Sequence, residues 1–187
     1  MEAISKTSRI EKIVKLTLVA IIGTALITIS AKIKIPFYPV PMTMQTFVIL
    51  LIGVTLGYKM GLATVGLYLF EGIIGLPVFA SSPEKGIGIV YFIGPTMGYL
   101  VGFLVAVYFA GLFKYDKGII NTFLKLIFSV SFIYILGLVW LGVLIGWDKP
   151  IFKLGAQPFL LAELFKILLL LFLTPMLLKV KKLTKIT

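Results

Sequence analysis

FLLAELFKILLLLFLTPMLL, residues 159–178, is long and apolar enough to cross a lipid bilayer as a single helix. Two charged residues, Glu163 and Lys166, interrupt this run. They are three positions apart, so they share one face of a helix. Charged side chains are costly in hydrocarbon, and this face is therefore predicted to point into a bundle interior or a water-accessible pocket.

The rest of the chain has the same apolar character. Of its 187 residues, 60% are hydrophobic and 13% are charged, and the mean hydropathy is +1.13. This composition predicts an integral membrane protein made of one domain, residues 1–187. The net charge of +11 would favour nucleic-acid binding in a soluble protein. Here the basic residues cluster beside hydrophobic segments, which favours the membrane interpretation.

Six hydrophobic segments are predicted to form an all-α bundle of six transmembrane helices. Proline and glycine separate them: Pro36, Pro39 and Pro41 follow the first, Gly57 the second and Pro77 the third. The predicted spans are residues 14–30, 44–56, 60–76, 95–113, 119–145 and 159–178.

The basic residues predict the orientation of this bundle. With a cytoplasmic N-terminus, twelve lysines and arginines lie on the cytoplasmic side and five on the outer side. Positive residues are enriched in cytoplasmic loops, so both termini are predicted to be cytoplasmic. The strongly basic C-terminal tail favours an even number of spans for the same reason.

Several chemistries are excluded by missing residue types. The chain has no cysteine and no histidine, which removes thiolate nucleophiles, disulfides and the commonest general base and metal ligand. It also has no P-loop motif for nucleotide hydrolysis. We therefore expect no catalytic residues, no metal site and no cofactor, and a chain that is not an enzyme.

Polar residues inside the hydrophobic segments are the candidate binding residues. Glu163 and Lys166 could simply lock their helix in register, but a buried ion pair is weak evidence of stability, and we favour a ligand role. Glu71 lies within the third span and could pair with Lys166, bind a ligand or reach the outer interface. Gln45 and Tyr99 are the remaining candidates, because an amide donates and accepts hydrogen bonds and Tyr99 lies beside a run of glycines.

Small residues form two helical stripes that predict close helix contacts. Gly94, Gly98, Gly102, Ala106 and Ala110 recur at every fourth position of the fourth span. We favour internal packing over partner binding for this stripe. The first span contains a second stripe of small residues, Ala20, Gly23, Thr24 and Ala25. For this stripe, internal packing and docking on a second membrane protein are almost equally favoured.

Four motifs in the chain resemble those of the BioY family, the biotin-binding S components of energy-coupling factor (ECF) transporters. They are IPFYPVPMTMQTFVILLIG (residues 35–53), GLPVFA (75–80), GPTMGYLVGF (94–103) and AELFK in the last span. In the family the acid of this last motif is commonly Asp, and here it is Glu163. The loop after GLPVFA departs from the Gly-rich family pattern, and Ser81 and Lys85 are its candidate ligand contacts.

The resemblance implies a function and a set of partners. The chain would be a multi-pass protein of the bacterial cell membrane that binds biotin near the outer face and carries no ATPase. A separate transmembrane T protein would dock on small residues of the first helix, and two ABC-type ATPases would supply the energy. Glu163 would accept hydrogen bonds from the ureido N–H groups of biotin, and Lys166 would contact the ureido carbonyl or the carboxylate. Residues 31–44 would form a lid.

Two other functions remain open at this point. One is an S component for a different vitamin. The other is a stand-alone channel or facilitator with Glu71, Glu163 and Lys166 along its path. An intramembrane enzyme is a distant third, because no pair of nucleophile and base is visible.

Overall fold

The computed structural model describes residues 2–35 and 38–184, and the side chains of residues 10–35 and 38–179. Residues 36 and 37 of the expected lid, the basic side chains of Lys6 and Arg9, and the side chains beyond residue 179 lie outside this description. The elements are α1 (Glu2–Lys32), β1 (Lys34–Ile35), β2 (Met42–Thr43), α2 (Gln45–Ile73), α3 (Met97–Leu112), α4 (Ile119–Ile145), α5 (Ile151–Gly155) and α6 (Leu160–Thr184). Short 3₁₀ helices cover Gly88–Ile93 and Gln157–Phe159.

Helix α2 folds back on itself at Gly57. This glycine has φ 74°, a conformation that breaks a helix and that glycine adopts readily. The side-chain amide of Gln45 lies 2.7 Å from the hydroxyl of Tyr68, a pair that a straight helix would separate by about 34 Å. The two arms of α2, residues 45–56 and 58–73, therefore run antiparallel and correspond to the second and third expected spans.

With the two arms counted separately, the described residues form a bundle of six principal helices, and the predicted all-α fold class is confirmed. By length and composition, four apolar helical stretches are long enough to cross a membrane: Ile10–Lys32 in α1, Gln45–Ile73, Ile119–Ile145 and Ile151–Lys179. Of these, Gln45–Ile73 includes both antiparallel arms of α2, and Ile151–Lys179 includes α5, the second 3₁₀ helix and most of α6. Helix α3 is apolar but shorter. Two segments of two residues each, β1 and β2, pair as an antiparallel hairpin between α1 and α2.

The small residues of α3 pack inside the bundle, as favoured from the sequence. A Cβ on Gly98 would collide with the backbone carbonyl of Leu136 in α4, and a Cβ on Gly102 would lie 2.6 Å from the Cα of Ile133. Such contacts require glycine, because any side chain would push the two helix backbones apart. Farther along the same face, Ala106 is fully buried.

Three of the four small residues of α1 pack against the rest of the chain. Ala20 and Thr24 are buried, and a Cβ on Gly23 would collide with Thr64 of α2. These three residues let α1 approach α2 closely and are already covered by the chain itself. Ala25 is exposed. The four-residue periodicity predicted a close contact correctly, but it could not tell an internal neighbour from an external one.

Candidate functional site

The charged pair of α6 is buried at the start of that helix. Glu163 is 3% exposed and Lys166 is 8% exposed, and the Lys166 Nζ lies 3.3 Å from the Glu163 Oε2. The i, i+3 spacing brings both charges to the face of α6 that meets α2 and α4. The pair is therefore removed from the surface of the bundle, as the cost of charges in hydrocarbon predicts.

Hydroxyl groups from two other helices complete the environment of Glu163. Its Oε2 accepts hydrogen bonds from the Thr46 hydroxyl at 2.9 Å and from the Tyr134 hydroxyl at 2.8 Å. The Thr46 oxygen also accepts a hydrogen bond from the Lys166 ammonium at 3.1 Å. Four residues from α2, α4 and α6 thus form one connected polar cluster.

The second carboxylate oxygen of Glu163 stands apart from this cluster. Within the described part of the chain, the buried Oε1 has no hydrogen-bond partner. A buried polar atom without a partner costs about 1–3 kcal/mol, and more when it is charged. The arrangement provides an acceptor for a donor that the protein itself does not supply.

A cavity of about 570 Å³ lies beside the polar cluster. This volume includes space that is open to solvent. Most of the wall is apolar or aromatic, as is usual for small-molecule sites. The lining residues are Val40, Pro41, Met42, Thr43, Gln45, Thr46, Ala80, Tyr91, Thr96, Tyr99, Leu100, Phe103, Ile133, Tyr134, Phe159 and Lys166.

One wall of the cavity is the segment that joins α1 to α2. Residues 40–43, which include strand β2, line the cavity directly. The ammonium of Lys85 lies 3.5 Å from the carbonyl oxygen of Pro39, and the Met44 amide donates to the carbonyl of Ser30 at 3.3 Å. The segment is therefore held by a few polar contacts rather than by a helix packed along its length.

Gln45 and Tyr99 line the cavity, but their polar groups are engaged within the protein. The Gln45 amide donates to the Tyr68 hydroxyl at 2.7 Å, and its oxygen accepts from Thr43 at 3.3 Å. The Tyr99 hydroxyl donates to the carbonyl of Gly155 at 2.8 Å. Tyr99 therefore offers its ring to the cavity.

Four residues named from the sequence are not among the lining residues of this cavity: Glu163, whose hydrogen-bond partners Thr46, Tyr134 and Lys166 do line it, and Glu71, Ser81 and Lys85. The Glu71 carboxylate accepts a hydrogen bond from Thr24 at 3.0 Å and belongs to the contact between α1 and α2. Ser81 is buried next to the cavity residue Ala80, and its backbone amide donates to the Tyr91 hydroxyl at 3.3 Å. Lys85 is exposed. Packing between distant parts of the chain decides where these side chains lie, and the spacing of residues in the sequence does not report that packing.

Sequence reasoning missed Thr46 and Tyr134. Thr46 directly follows Gln45, which is one of the candidate binding residues. A polar residue at the start of an apolar span was the only signal for Thr46 in the sequence. Tyr134 is a phenol in the middle of an otherwise apolar helix, which marks it weakly as a residue that needs a polar neighbour. Among the described residues, no group of three acidic side chains lies close enough to hold a metal ion.

The fold and the site define an all-helical membrane protein with a mainly apolar cavity beside a buried ion pair. The model of the BioY family matches residues 4–183, and the chain belongs to this family. The predicted resemblance is confirmed.

Two relatives and one solved structure support this assignment. A probable biotin transporter BioY of Pyrococcus horikoshii is 35% identical over 142 residues, which cover 76% of this chain and 83% of that protein. The biotin transporter BioY of Thermotoga maritima is 37% identical over 147 residues, with 78% and 85% covered. The crystal structure of the S-component for biotin from an ECF-type ABC transporter superposes with a TM-score of 0.74 at 26% identity, covering 94% of this chain and 93% of that chain.

Proposed function

We propose that this chain is the biotin-binding S component of an ECF-type transporter and that it binds biotin in the cavity beside Glu163 and Lys166. The observation that carries the proposal is the buried carboxylate of Glu163, whose Oε1 lacks a hydrogen-bond donor among the described residues and whose Oε2 is held by three residues that line the cavity, Thr46, Tyr134 and Lys166. The relatives are described as biotin transporters and the matching structure as the S-component for biotin, and biotin has N–H donors that an unpartnered carboxylate oxygen can accept.

The ureido ring of biotin matches the polar cluster. Its N–H groups donate to the Oε1 of Glu163, while Tyr134 and Thr46 hold Oε2 in place. An ammonium has three N–H donors, and Lys166 directs one to Glu163 and one to Thr46. The third donor is directed to the ureido carbonyl or the ligand carboxylate. Both charges of the pair thereby gain a partner when the ligand binds.

The apolar part of biotin lies against the rest of the cavity wall. Leu100, Phe103, Ile133 and Phe159 are each buried and line the cavity. The ring of Tyr99 packs against Gly137, where a Cβ would collide with the ring, so its orientation is fixed before the ligand arrives. This rigid apolar surface suits the thioether ring and reduces the entropic cost of binding.

The segment 31–44 serves as the lid, since residues 40–43 close one side of the cavity. Lys85 acts on the lid rather than on the ligand: its ammonium contacts the carbonyl of Pro39 and lies 5.9 Å from the centre of the Tyr38 ring. Ser81 shapes the adjoining loop through Tyr91. Gln45 positions the start of α2 through its hydrogen bonds.

The transport step requires other chains. A transmembrane T protein and two ABC-type ATPases provide the energy, and this chain binds biotin at the outer face of the cell membrane and delivers it inward. The matching structure is described as the S-component for biotin from an ECF-type ABC transporter, and this description supports the proposal. Because Ala20, Gly23 and Thr24 are buried within this chain, we expect the T protein to contact the exposed side of α1, which includes Ala25.

The purified protein provides a direct test. Native mass spectrometry of protein extracted without added vitamin should detect bound biotin, and calorimetry should show high affinity for biotin and not for other vitamins. An affinity for a different vitamin that exceeds the affinity for biotin would contradict the proposal. Biotin uptake by liposomes that contain this chain alone would contradict the dependence on ATPase partners.

A further inference from the structure

The cavity beside Glu163 offers few donors for the carboxylate of a ligand. Lys166 is the one charged residue among the described residues that line it, and its ammonium is already directed to Glu163 and Thr46. With the ureido ring of biotin at Glu163, the carboxyl group lies away from this lysine. Inside the cavity its charge then depends on neutral hydrogen-bond donors, because a buried charge without them is costly. Four hydroxyls of the wall are spent on other protein groups: those of Thr43, Thr46, Tyr99 and Tyr134.

Tyr91 carries a hydroxyl proton that the protein does not use. Its side chain lines the cavity from the 3₁₀ helix Gly88–Ile93 and is 4% exposed. The phenol oxygen accepts a hydrogen bond from the backbone amide of Ser81 at 3.3 Å, and within the described part of the chain its O–H has no acceptor. A buried phenol usually has a partner for its O–H. This donor is therefore free to serve a group in the cavity.

The ring of Tyr91 is held in a fixed orientation. It stacks on Phe79 with the ring centroids 4.6 Å apart, and Phe79 packs edge-on against Tyr68 at 5.4 Å. Phe79 also covers Gly72, where a Cβ would collide with its ring. The Tyr91 hydroxyl is thus placed before a ligand arrives, and a preorganised donor reduces the entropic cost of binding.

Thr96 supplies a second hydroxyl, at the start of α3. It lines the same cavity, and its side chain makes no capping hydrogen bond to the helix. The first amide groups of a helix lack intrahelical partners and carry a partial positive charge, which favours an anion nearby. The first turn of α3 has no acidic residue that would use this field. The Trp140 indole holds the segment before the helix by donating to the carbonyl of Gly94 at 2.9 Å.

We propose that the hydroxyls of Tyr91 and Thr96 bind the carboxylate of biotin at the N-terminal end of α3 and select for the free acid. The inference rests on the proposed function and deepens it. Glu163 and Lys166 hold the ureido ring, so the third donor of Lys166 goes to the ureido carbonyl. The aliphatic tail lies along apolar lining residues such as Phe103.

Biotin and biotinol, in which a hydroxymethyl group replaces the carboxylate, test this contact. Calorimetry on the full-length protein should show that biotin binds at least about tenfold more tightly than biotinol. Tyr91→Phe keeps the ring stack and removes the hydroxyl. This variant should weaken biotin by about tenfold and biotinol by less than about threefold, because only biotin loses a charge-assisted hydrogen bond. Thr96→Val should act in the same direction, and it tests the inference if Tyr91→Phe fails to fold.

Two control variants complete the design. Tyr115→Phe removes another tyrosine hydroxyl, which donates to the carbonyl of Ala110 at 2.7 Å and does not line the cavity, and should leave both affinities unchanged. Lys85→Gln removes an exposed positive charge from the same loop, outside the cavity lining. It should keep the preference for biotin over biotinol.

The outcomes separate this inference from the proposed function. Equal affinity of the native protein for the two ligands would overturn the inference. An equal effect of Tyr91→Phe on both ligands, or no effect on either, would also overturn it, since the lost contact with Ser81 acts on both alike. Loss of the preference in Lys85→Gln would assign the carboxylate to that lysine instead. In each case the native protein would still bind biotin, whereas a native protein that does not bind biotin would contradict the proposed function.

Discussion

Neutralising the ion pair of α6 in one and in both positions separates a ligand role from a structural role. Lys166→Met leaves Glu163 buried without its cation, and Glu163→Gln leaves Lys166 without its anion. The double variant Glu163→Gln/Lys166→Met removes both charges and keeps side chains of similar size. A pair that served only to hold α6 would be replaceable in this way without consequence.

The structure sets the expected magnitudes. Both residues are less than a tenth exposed, and breaking a pair buried to this degree costs about 3–5 kcal/mol of stability in each single variant. Replacing both charges by neutral groups is often neutral or stabilising, so the double variant should recover most of this loss. Binding should not recover. Each charge-assisted hydrogen bond to the ligand contributes about 1.5–3 kcal/mol, and losing two of them weakens affinity by more than about a hundredfold.

The two quantities need separate assays. Thermal unfolding in detergent, followed by tryptophan fluorescence, measures the stability of the ligand-free protein, and calorimetry measures the biotin affinity. We expect the double variant to unfold near the temperature of the native protein and to have lost high-affinity binding. A double variant that binds biotin within about tenfold of the native affinity would refute the assignment of Glu163 and Lys166 as ligand contacts.

Three further predictions follow from individual contacts. Tyr134→Phe should weaken biotin binding by about tenfold in calorimetry, because Glu163 loses a 2.8 Å donor that orients its carboxylate; an unchanged affinity would contradict this role. Gly98→Leu should lower the unfolding temperature by several degrees, because no side chain fits against α4, whereas Gly66→Leu, with open space around it, should leave the temperature unchanged. Thr24→Val should destabilise the protein by about 1–3 kcal/mol and leave biotin affinity intact; a weaker affinity would place Glu71 in the ligand site after all.

The two arms of α2 show which features of a helix can be predicted from neighbouring residues in the sequence. Gly57 marked the boundary between two predicted spans, and the structure places the helix break at that residue. Consecutive membrane spans must run in opposite directions, so the reversal was also predicted, and the contact of Gln45 with Tyr68 shows which faces of the two arms meet. A glycine permits a break, but the faces that then pack together depend on the side chains of both arms and of α3.

Helix periodicity had a similar limit for the small residues. On α3 the four-residue repeat predicted internal packing, and Gly102 does contact the backbone of α4. On α1 the same kind of repeat left internal and external partners open, and the structure covers Ala20 and Thr24 with the chain itself. The repeat reports that a close neighbour exists, because only small side chains allow one, and it does not identify that neighbour.

The sequence by itself determined the membrane class and the shared face of Glu163 and Lys166, because hydrophobic length and i, i+3 spacing are local properties of one helix. The tertiary structure alone decided which groups meet that face. Thr46 lies 117 positions from Glu163 and Tyr134 lies 29 positions from it, yet both donate to the same carboxylate oxygen. The same packing leaves Oε1 of Glu163 without a hydrogen-bond partner among the described residues, because hydrogen bonds between helices depend on how whole helices are placed.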